Sequence, residues 1–115
     1  MDKIKKYKQF IVNLLTEYVN LPVERGVQPE EFQEQLILDE KNNHYQVLNI
    51  GWNGMNRIYL PVFHIDIIDE KIWVQEDATD FNIVEKLEAL GVPKSDIVLA
   101  FHAPYKRPYT EYAIA

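Results

Sequence analysis

The stretch RIYLPVFHIDIIDEKIWVQED, residues 57–77, holds two runs rich in β-branched and aromatic side chains. The first run is Arg57–Ile68, the second is Lys71–Asp77, and only Asp69 and Glu70 lie between them. Runs of this composition are typical of β-strands, and a two-residue link has the length of a tight hairpin turn. The stretch therefore predicts a β-hairpin, and with it a fold built on an antiparallel sheet.

Pairing in such a hairpin runs symmetrically outward from the turn, and this sets the register of the two strands. With Asp69 and Glu70 as the turn, the predicted cross-strand pairs are Ile68 with Lys71, Asp66 with Trp73, and His64 with Gln75. His64 and Asp66 are two residues apart on one strand, so their side chains are expected to point the same way.

Two more strand-like runs precede this hairpin, Phe32–Asp39 and Tyr45–Trp52. The polar links EKNNH, residues 40–44, and NGMN, residues 53–56, join them to each other and to the hairpin. Links of this size connect antiparallel neighbours, so we predict a four-stranded antiparallel meander. The segment VERGVQPEE, residues 23–31, contains glycine and proline with few apolar residues and is predicted to be a loop.

Helical patterns flank the meander. Between Asp2 and about Val19, apolar side chains recur at helical spacing and form one stripe: Ile4, Tyr7, Ile11, Leu14, Leu15 and Tyr18. A second, shorter helix has Thr79, Asp80 and Asn82 as candidate N-caps and Gly91 as its stop. Its apolar stripe consists of Ile83, Val84, Leu87 and Leu90.

The run Ile97–Phe101 is apolar throughout, as is typical of a strand buried on both faces. A chain of 115 residues can bury one core but is too short for two, so residues 1–115 are predicted to form a single domain. The predicted fold class is α+β: an antiparallel β-sheet, made of the four-strand meander plus a further strand, with two α-helices.

Uninterrupted alternation along the strands would sort their side chains onto two faces. One face is nearly pure core and is expected to lie under the helices: Leu48, Ile50, Trp52, Tyr59, Phe63, Ile65, Ile67, Ile72 and Val74. The other is too apolar for water and too polar for a core: Tyr45, Val47, Asn49, Leu60, Val62, His64, Asp66, Trp73 and Gln75. This mixture is expected where another protein docks, although one helix or the C-terminal tail could cover it instead. A self-complementary docking face predicts a homodimer or larger closed oligomer.

The sequence contains few candidate catalytic or metal-binding residues. His64 and Asp66 could serve as an acid/base pair or contribute two metal ligands, but no third partner stands at a diagnostic spacing. Glu76, Asp77 and Asp80 form an acidic cluster that could hold a metal, although acidic residues also favour the start of a helix. Phosphate-binding glycine loops and nucleophile elbows are absent from the sequence. We therefore predict no catalytic, cofactor or metal site, and a protein that is not an enzyme.

Charge and composition restrict the partners. With 18 acidic and 12 basic residues the net charge is −6, which disfavours independent DNA binding because DNA is a polyanion. The exception is a patch of four lysines in the first helix: Lys3, Lys5, Lys6 and Lys8. The sequence has no cysteine, no apolar run of membrane-spanning length and no secretion signal, so a cytoplasmic location without membrane contact is expected.

Four stretches taken together resemble the XisI family: YKQFIVNLLTEY, HYQVLNIGW, HIDIIDEKIWVQEDATD and LGVPKSDIVLAFHAPYKRPYTEYAIA. Proteins of this family are controlling factors for excision of the fdxN DNA element in cyanobacteria. The resemblance runs over essentially the whole chain with the motifs in the same order. It departs at Glu70 and Ala78, where glycine is expected, and this predicts that neither turn needs a positive φ in this chain.

The resemblance implies an accessory factor that works through proteins. XisI-like proteins are described as acting with the companion protein XisH and a site-specific recombinase, so an XisH-like protein is the expected partner and a recombinase is a second candidate. No catalytic residues come with the resemblance. The alternatives are direct DNA contact, which is disfavoured, through the lysine-rich helix and the pair Lys106 and Arg107, and an enzyme centred on His64, His102 or the acidic cluster.

The C-terminal stretch His102–Ala115 carries tyrosines, prolines and two basic residues where tails are usually polar and disordered. We predict an ordered docking segment, with Phe101, Tyr109, Tyr112 and Ile114 as apolar anchors. Completion of the domain's own core by these aromatic side chains is the alternative. The candidate partner-binding residues from the whole sequence are Tyr45, His64, Asp66, Trp73, His102, Tyr105, Lys106, Arg107 and Tyr109.

Overall fold

The computed structural model describes residues 2–21 and 31–115. Helix α1 is Lys3–Val19, and the strands that follow are β1 Glu31–Asp39, β2 His44–Asn53, β3 Asn56–Ile68 and β4 Lys71–Asp77. Helix α2, Ile83–Ala89, a 3₁₀ turn, Lys94–Asp96, strand β5, Ile97–Leu99, and a 3₁₀ helix, Pro104–Tyr109, complete the chain. Nearly all of the loop predicted at residues 23–31 lies outside the described residues.

The strands form one sheet in the order β1-β2-β3-β4-β5. The first four are antiparallel neighbours, as the meander predicts, and β5 lies parallel to β4 with α2 in the connection between them. Parallel neighbours need such a crossover, whereas antiparallel ones need only a short turn. The predicted α+β class, with five strands and two main helices, is confirmed. Strand β5 is shorter than expected, because the chain turns at Ala100 and Phe101.

The core lies between one face of the sheet and the two helices. Five residues of the predicted α1 stripe are buried: Tyr7, Ile11, Leu14, Leu15 and Tyr18. They pack with buried strand residues that include Tyr45, Phe63 and Ile65. The ring of Tyr18 lies edge-on to Phe63, with centroids 5.0 Å apart, and Phe81 joins the same cluster. Burial of this apolar stripe, more than helix propensity, stabilises α1.

The β3–β4 turn corrects one prediction. Asp69 and Glu70 have φ values of 52° and 64°, the pair of positive values typical of a type I′ hairpin turn. The expectation that Glu70 needs no positive φ is therefore wrong, whereas Ala78 has no positive φ, as expected. The right-handed twist of the flanking strands favours this turn type, so a non-glycine residue adopts the conformation at some cost in strain.

Two β-bulges interrupt the alternation. In the β3–β4 ladder, the pair Ile65–Val74 is followed by His64–Glu76, so Gln75 is the extra residue and the predicted pair of His64 with Gln75 is wrong. In the β2–β3 ladder, Val47 pairs with Phe63 but Leu48 pairs with Pro61, so Val62 is the extra residue there. A bulge changes the phase of alternation on the strand that carries it.

The bulge at Val62 reverses the predicted faces of β2. Tyr45, Val47 and Val62 were assigned to a docking face, but all three are buried in the core. Trp52 and Tyr59 were assigned to the core and are exposed. Because Val62 and Phe63 both lie in the core, the strand residues before the bulge present the opposite face from the one that strict alternation predicts.

Candidate functional site

The candidate site lies on the sheet face opposite the helices, which we call the outer face. Where β2 begins, His44 is the cross-strand partner of Asp66 on β3, and Gln46 is the partner of His64. Cross-strand partners point to the same side of a sheet, and so do residues two apart on a regular strand. The register therefore brings three side chains together, and we call His44, His64 and Asp66 the His₂Asp cluster.

Asp66 is the centre of the His₂Asp cluster. Its Oδ1 lies 2.8 Å from Nδ1 of His44 and 3.1 Å from Nε2 of His64. Its Oδ2 accepts a hydrogen bond of 3.2 Å from Nε2 of Gln75, the bulged residue of β4. Three donors thus face a carboxylate that is nearly buried, which compensates for its loss of hydration.

The hydrogen-bond partners indicate a tautomer for His64. Its Nδ1 lies 3.2 Å from Nε2 of Gln46, an N–H donor, so Nδ1 is the acceptor and Nε2 carries the proton donated to Asp66. The hydrogen bond to Asp66 raises the pKa of His44 above its ordinary value, because the carboxylate favours the protonated ring.

An open groove of about 420 Å³ lies over the cluster. Its lining consists of Ile37, Asp39, His44, Gln46, His64 and Asp66. The pKa of Asp39 lies below its ordinary value, chiefly because the backbone N–H of Asn42 donates to this carboxylate. Among the described residues, two carboxylates and no lysine or arginine line the groove.

Sequence reasoning found His64 and Asp66 but missed His44. The missing signal is the register of the β2–β3 hairpin, which places His44 opposite Asp66 although 22 residues separate them in sequence. The donor atoms of all three side chains lie within 4.8 Å of one another. The third partner that an isolated His-Asp pair lacks is therefore supplied by the neighbouring strand.

The C-terminal segment, which we define as residues 102–115, covers the β5 end of the outer face. Ala113 forms an isolated bridge with Val98, and its N–H donates to the carbonyl of Ile97 at 2.8 Å. The guanidinium of Arg107 lies over the ring of Trp73, 5.5 Å from the centroid. Coverage by the tail, one of the alternatives for the mixed face, is therefore realised at this end of the sheet.

The side chain of Arg107 orders the C-terminal segment by hydrogen bonds to backbone carbonyls. Its Nε donates to the carbonyl of His102 at 3.0 Å, and one terminal nitrogen donates to Ala100 at 3.3 Å. A longer contact of 3.5 Å reaches the carbonyl of Ile114. Lys106, by contrast, is exposed. The basic pair predicted as one recognition element is thus divided, since one member faces the protein and the other faces solvent.

Because Arg107 faces the protein and Lys106 faces solvent, replacing each of them should change the stability of the protein by different amounts. Arg107→Ala should lower the free energy of unfolding by about 2 kcal/mol, because it removes charge-assisted hydrogen bonds and the stacking on Trp73. Lys106→Ala is the matched control and should change it by less than about 0.5 kcal/mol. Urea denaturation of both variants measures the difference. Equal stabilities would contradict the structural role of Arg107.

The other predicted partner-binding residues differ in their exposure to solvent. Tyr45 is fully buried in the core, so its placement on a docking surface is wrong. His102 is half-buried beside Phe101, whereas Tyr105 and Tyr109 are largely exposed on the 3₁₀ helix. Tyr112, one of the four predicted anchors, instead packs against the core, and its hydroxyl donates to Glu88 at 2.7 Å.

The acidic residues Glu76, Asp77 and Asp80 lie at the end of β4 and in the link to α2. Burial raises the pKa of Asp77 above its ordinary value, although hydrogen bonds from Thr79 act in the opposite direction. Asn82 is the N-cap of α2, with a φ of 61° and no capping hydrogen bond from its side chain. Glu76, Asp77 and Asp80 do not form a group of converging metal ligands in the described part of the chain.

The fold is that of an α+β protein with a five-stranded sheet and helices on one face. Comparison with known proteins identifies its family. A model of the XisI protein family matches residues 1–114, and the chain belongs to this family. The crystal structure of a XisI-like protein from Anabaena variabilis ATCC 29413 is similar, with a TM-score of 0.88 and 48% identity over 97% of this chain and 99% of that one.

A second similar structure is the fdxN element excision controlling factor XisI from the same organism. Its TM-score is also 0.88, with 36% identity over 99% of this chain and all of that one. None of the curated proteins compared with the chain matches it. Among the described residues, no helix has the length and apolar character needed to cross a membrane.

Proposed function

We propose that this chain is a non-catalytic factor in the control of DNA-element excision, and that it acts by binding protein partners. Its similarity over nearly the whole chain to an excision controlling factor supports the biological role. The expected partners are those implied by the family resemblance, an XisH-like protein and a site-specific recombinase. The observation that carries the binding mode is an exposed apolar surface at the end of one hairpin.

This surface exists because β3 extends beyond β4, while β1 accompanies β2 as far as Trp52. Strand β3 has 13 residues, but β4 pairs only with Phe63–Ile68, so the turn end of the β2–β3 hairpin projects past β4. Four large apolar side chains are exposed there, and we call them the hairpin tip: Trp52, Met55, Tyr59 and Leu60. Met55 is 96% exposed and Tyr59 is 67% exposed.

The hairpin tip has the composition of a protein-binding surface. Tryptophan, tyrosine and methionine are enriched at interfaces, and the first two are frequent hot spots. Arg57 lies over the ring of Trp52, with its guanidinium carbon 5.4 Å from the centroid, which supports the orientation of the ring. Trp52 and Tyr59 are diagonal neighbours on one face of the hairpin, whereas Leu60 points to the other face. Two neighbouring exposed aromatic rings support docking more strongly than isolated exposed residues do.

The charges favour protein binding over DNA binding. The net charge of −6 opposes contact with a polyanion. Two lysines of α1 are engaged within the fold, because Lys3 pairs with Asp96 at 3.0 Å and Lys8 donates to the carbonyl of Glu40 at 2.7 Å. Arg107 donates to the backbone carbonyls of His102 and Ala100. The basic groups proposed for direct DNA contact are thus reduced chiefly to Lys5, Lys6 and Lys106.

The binding proposal predicts a selective loss of affinity. With an XisH-like protein from the same source as the ligand, Trp52→Ala combined with Tyr59→Ala should weaken binding at least about tenfold, since truncation of hot-spot aromatics typically costs 2 kcal/mol or more. Tyr109→Ala, which removes a still more exposed aromatic ring from the 3₁₀ helix, is the control and should bind like the parent. Isothermal titration calorimetry measures both affinities.

Other outcomes identify a different surface or mechanism. Loss of binding in Tyr109→Ala alone would assign the contact to the C-terminal segment instead. The proposed homodimer is checked on the same samples by sedimentation, and a dimer that the hairpin-tip variant dissociates would place a second copy on this surface. Salt-sensitive duplex DNA binding that Lys5→Gln with Lys6→Gln abolishes would overturn the protein-directed mechanism.

A further inference from the structure

We propose that the His₂Asp cluster binds one divalent transition-metal ion, with zinc(II) as the ion best matched to its donors. Two imidazoles and one carboxylate are a common ligand set for zinc and non-haem iron, and three protein ligands leave positions open on the metal. The donor atoms of His44, His64 and Asp66 already lie within 4.8 Å of one another. This inference does not depend on the proposed excision role.

The spacing of the donors is close to that of a zinc site. Zinc–ligand bonds of about 2.1 Å in tetrahedral geometry place neighbouring ligand atoms about 3.4 Å apart. The separations from Oδ1 of Asp66 are 2.8 Å to His44 and 3.1 Å to His64, so they need to open by about 0.6 Å and about 0.3 Å. The two imidazole donors lie within 4.8 Å of each other and need to approach by at most about 1.4 Å. Side-chain rotation can supply this, since the side chain of His44 is 56% exposed.

Strand pairing holds the backbone of the cluster, and the hydrogen bonds around its donor atoms suit a metal. His44 and Asp66 are direct cross-strand partners in the middle of a five-stranded sheet. Gln75 holds the second oxygen of Asp66. When Nε2 of His64 binds the metal, Nδ1 carries the proton, and rotation of the Gln46 amide presents its oxygen as the acceptor.

Charge and access also favour a cation. The groove over the cluster has Asp39 as a second carboxylate in its lining, and no lysine or arginine of the described residues lines it, so its field attracts a positive ion. The open side leaves room for water, or for a carboxylate of a bound protein, at the remaining positions on the metal. The alternative is a polar network in which both imidazoles only hydrogen-bond to Asp66.

Zinc(II) titration of the untagged full-length protein separates these alternatives. Calorimetry should show one zinc per chain for the parent, and His44→Ala should weaken binding at least about 100-fold, because it removes a ligand from the exposed side of the cluster. The chain has three histidines, so His102→Ala is a matched control that leaves the cluster intact and should bind like the parent.

Nuclear magnetic resonance of the imidazole rings provides a second readout at the residue level. Zinc(II) should shift the ring signals of His44 and His64 and leave those of His102 unchanged. Absence of zinc binding by the parent, or equal affinities of His44→Ala and the parent, would overturn the proposal. The same conclusion would follow if His102→Ala lost zinc while His44→Ala retained it.

Discussion

Tyr45→Ala should lower the free energy of unfolding by about 4 kcal/mol, the largest effect we expect from a single substitution in this protein. Tyr45 is fully buried among the side chains of the core, although strict strand alternation assigns it to a docking face. The truncation removes a large apolar ring from water-excluded packing and leaves a cavity that the rigid sheet can fill only in part. Urea or guanidinium denaturation measures the loss.

The control for this prediction comes from the same strand. Trp52 is 46% exposed and should tolerate Trp52→Ala with a loss of about 1 kcal/mol or less. If Tyr45→Ala does not fold, Tyr45→Phe supplies the test, because it removes only the hydroxyl that donates to Asn43 at 3.2 Å and should cost about 1 kcal/mol. A Tyr45→Ala variant as stable as Trp52→Ala would contradict the assigned faces.

Asp96→Ala should lower the free energy of unfolding by about 3 kcal/mol at neutral pH. Asp96 lies in the 3₁₀ turn before β5, and its Oδ2 accepts hydrogen bonds from the Tyr7 hydroxyl at 2.5 Å and from Lys3 at 3.0 Å. These contacts join the start of α1 to the turn. The substitution also leaves the buried hydroxyl of Tyr7 without this acceptor, which adds a desolvation cost.

The contribution of Asp96 should depend on pH with a defined sign. Burial opposes ionisation, but the hydrogen bonds from Tyr7 and Lys3 outweigh it and hold the pKa of Asp96 below its ordinary value of 3.8. A lowered folded-state pKa means that the stabilisation is complete above the unfolded-state value and declines as the pH falls through the folded-state value. The stability difference between the parent and Asp96→Asn should therefore narrow below about pH 4.

A surface ion pair provides the control for Asp96. Lys94 and Glu111 are 3.0 Å apart, and the Glu111 side chain is 80% exposed. Glu111→Ala should change the free energy of unfolding by less than about 1 kcal/mol, because exposed ion pairs contribute little. Chemical denaturation at a series of pH values measures both effects. An Asp96→Ala variant no less stable than Glu111→Ala would refute the structural role of this carboxylate.

In the C-terminal segment, the sequence predicts order but does not predict which side chains face the protein. Its prolines and tyrosines indicate an ordered segment, and the segment is built around a 3₁₀ helix, Pro104–Tyr109. The neighbours Lys106 and Arg107 are both cationic, yet Lys106 is exposed and Arg107 donates to the backbone carbonyls of Ala100 and His102. Which of two adjacent cations folds inward depends on where the backbone carbonyls lie, and these positions are set by long-range contacts.

The sequence by itself determined the elements of this protein: the four-strand meander, the two helices, the α+β class and the register nearest the Asp69–Glu70 turn. These features depend on local patterns, since hydrophobic periodicity and short links act between residues close in the chain. Only the tertiary structure decided which side of β2 faces the core and that His44 joins His64 and Asp66. Both depend on the pairing of strands and on the bulge at Val62, and a single extra residue exchanges the two faces of a strand because its side chains alternate with a period of two.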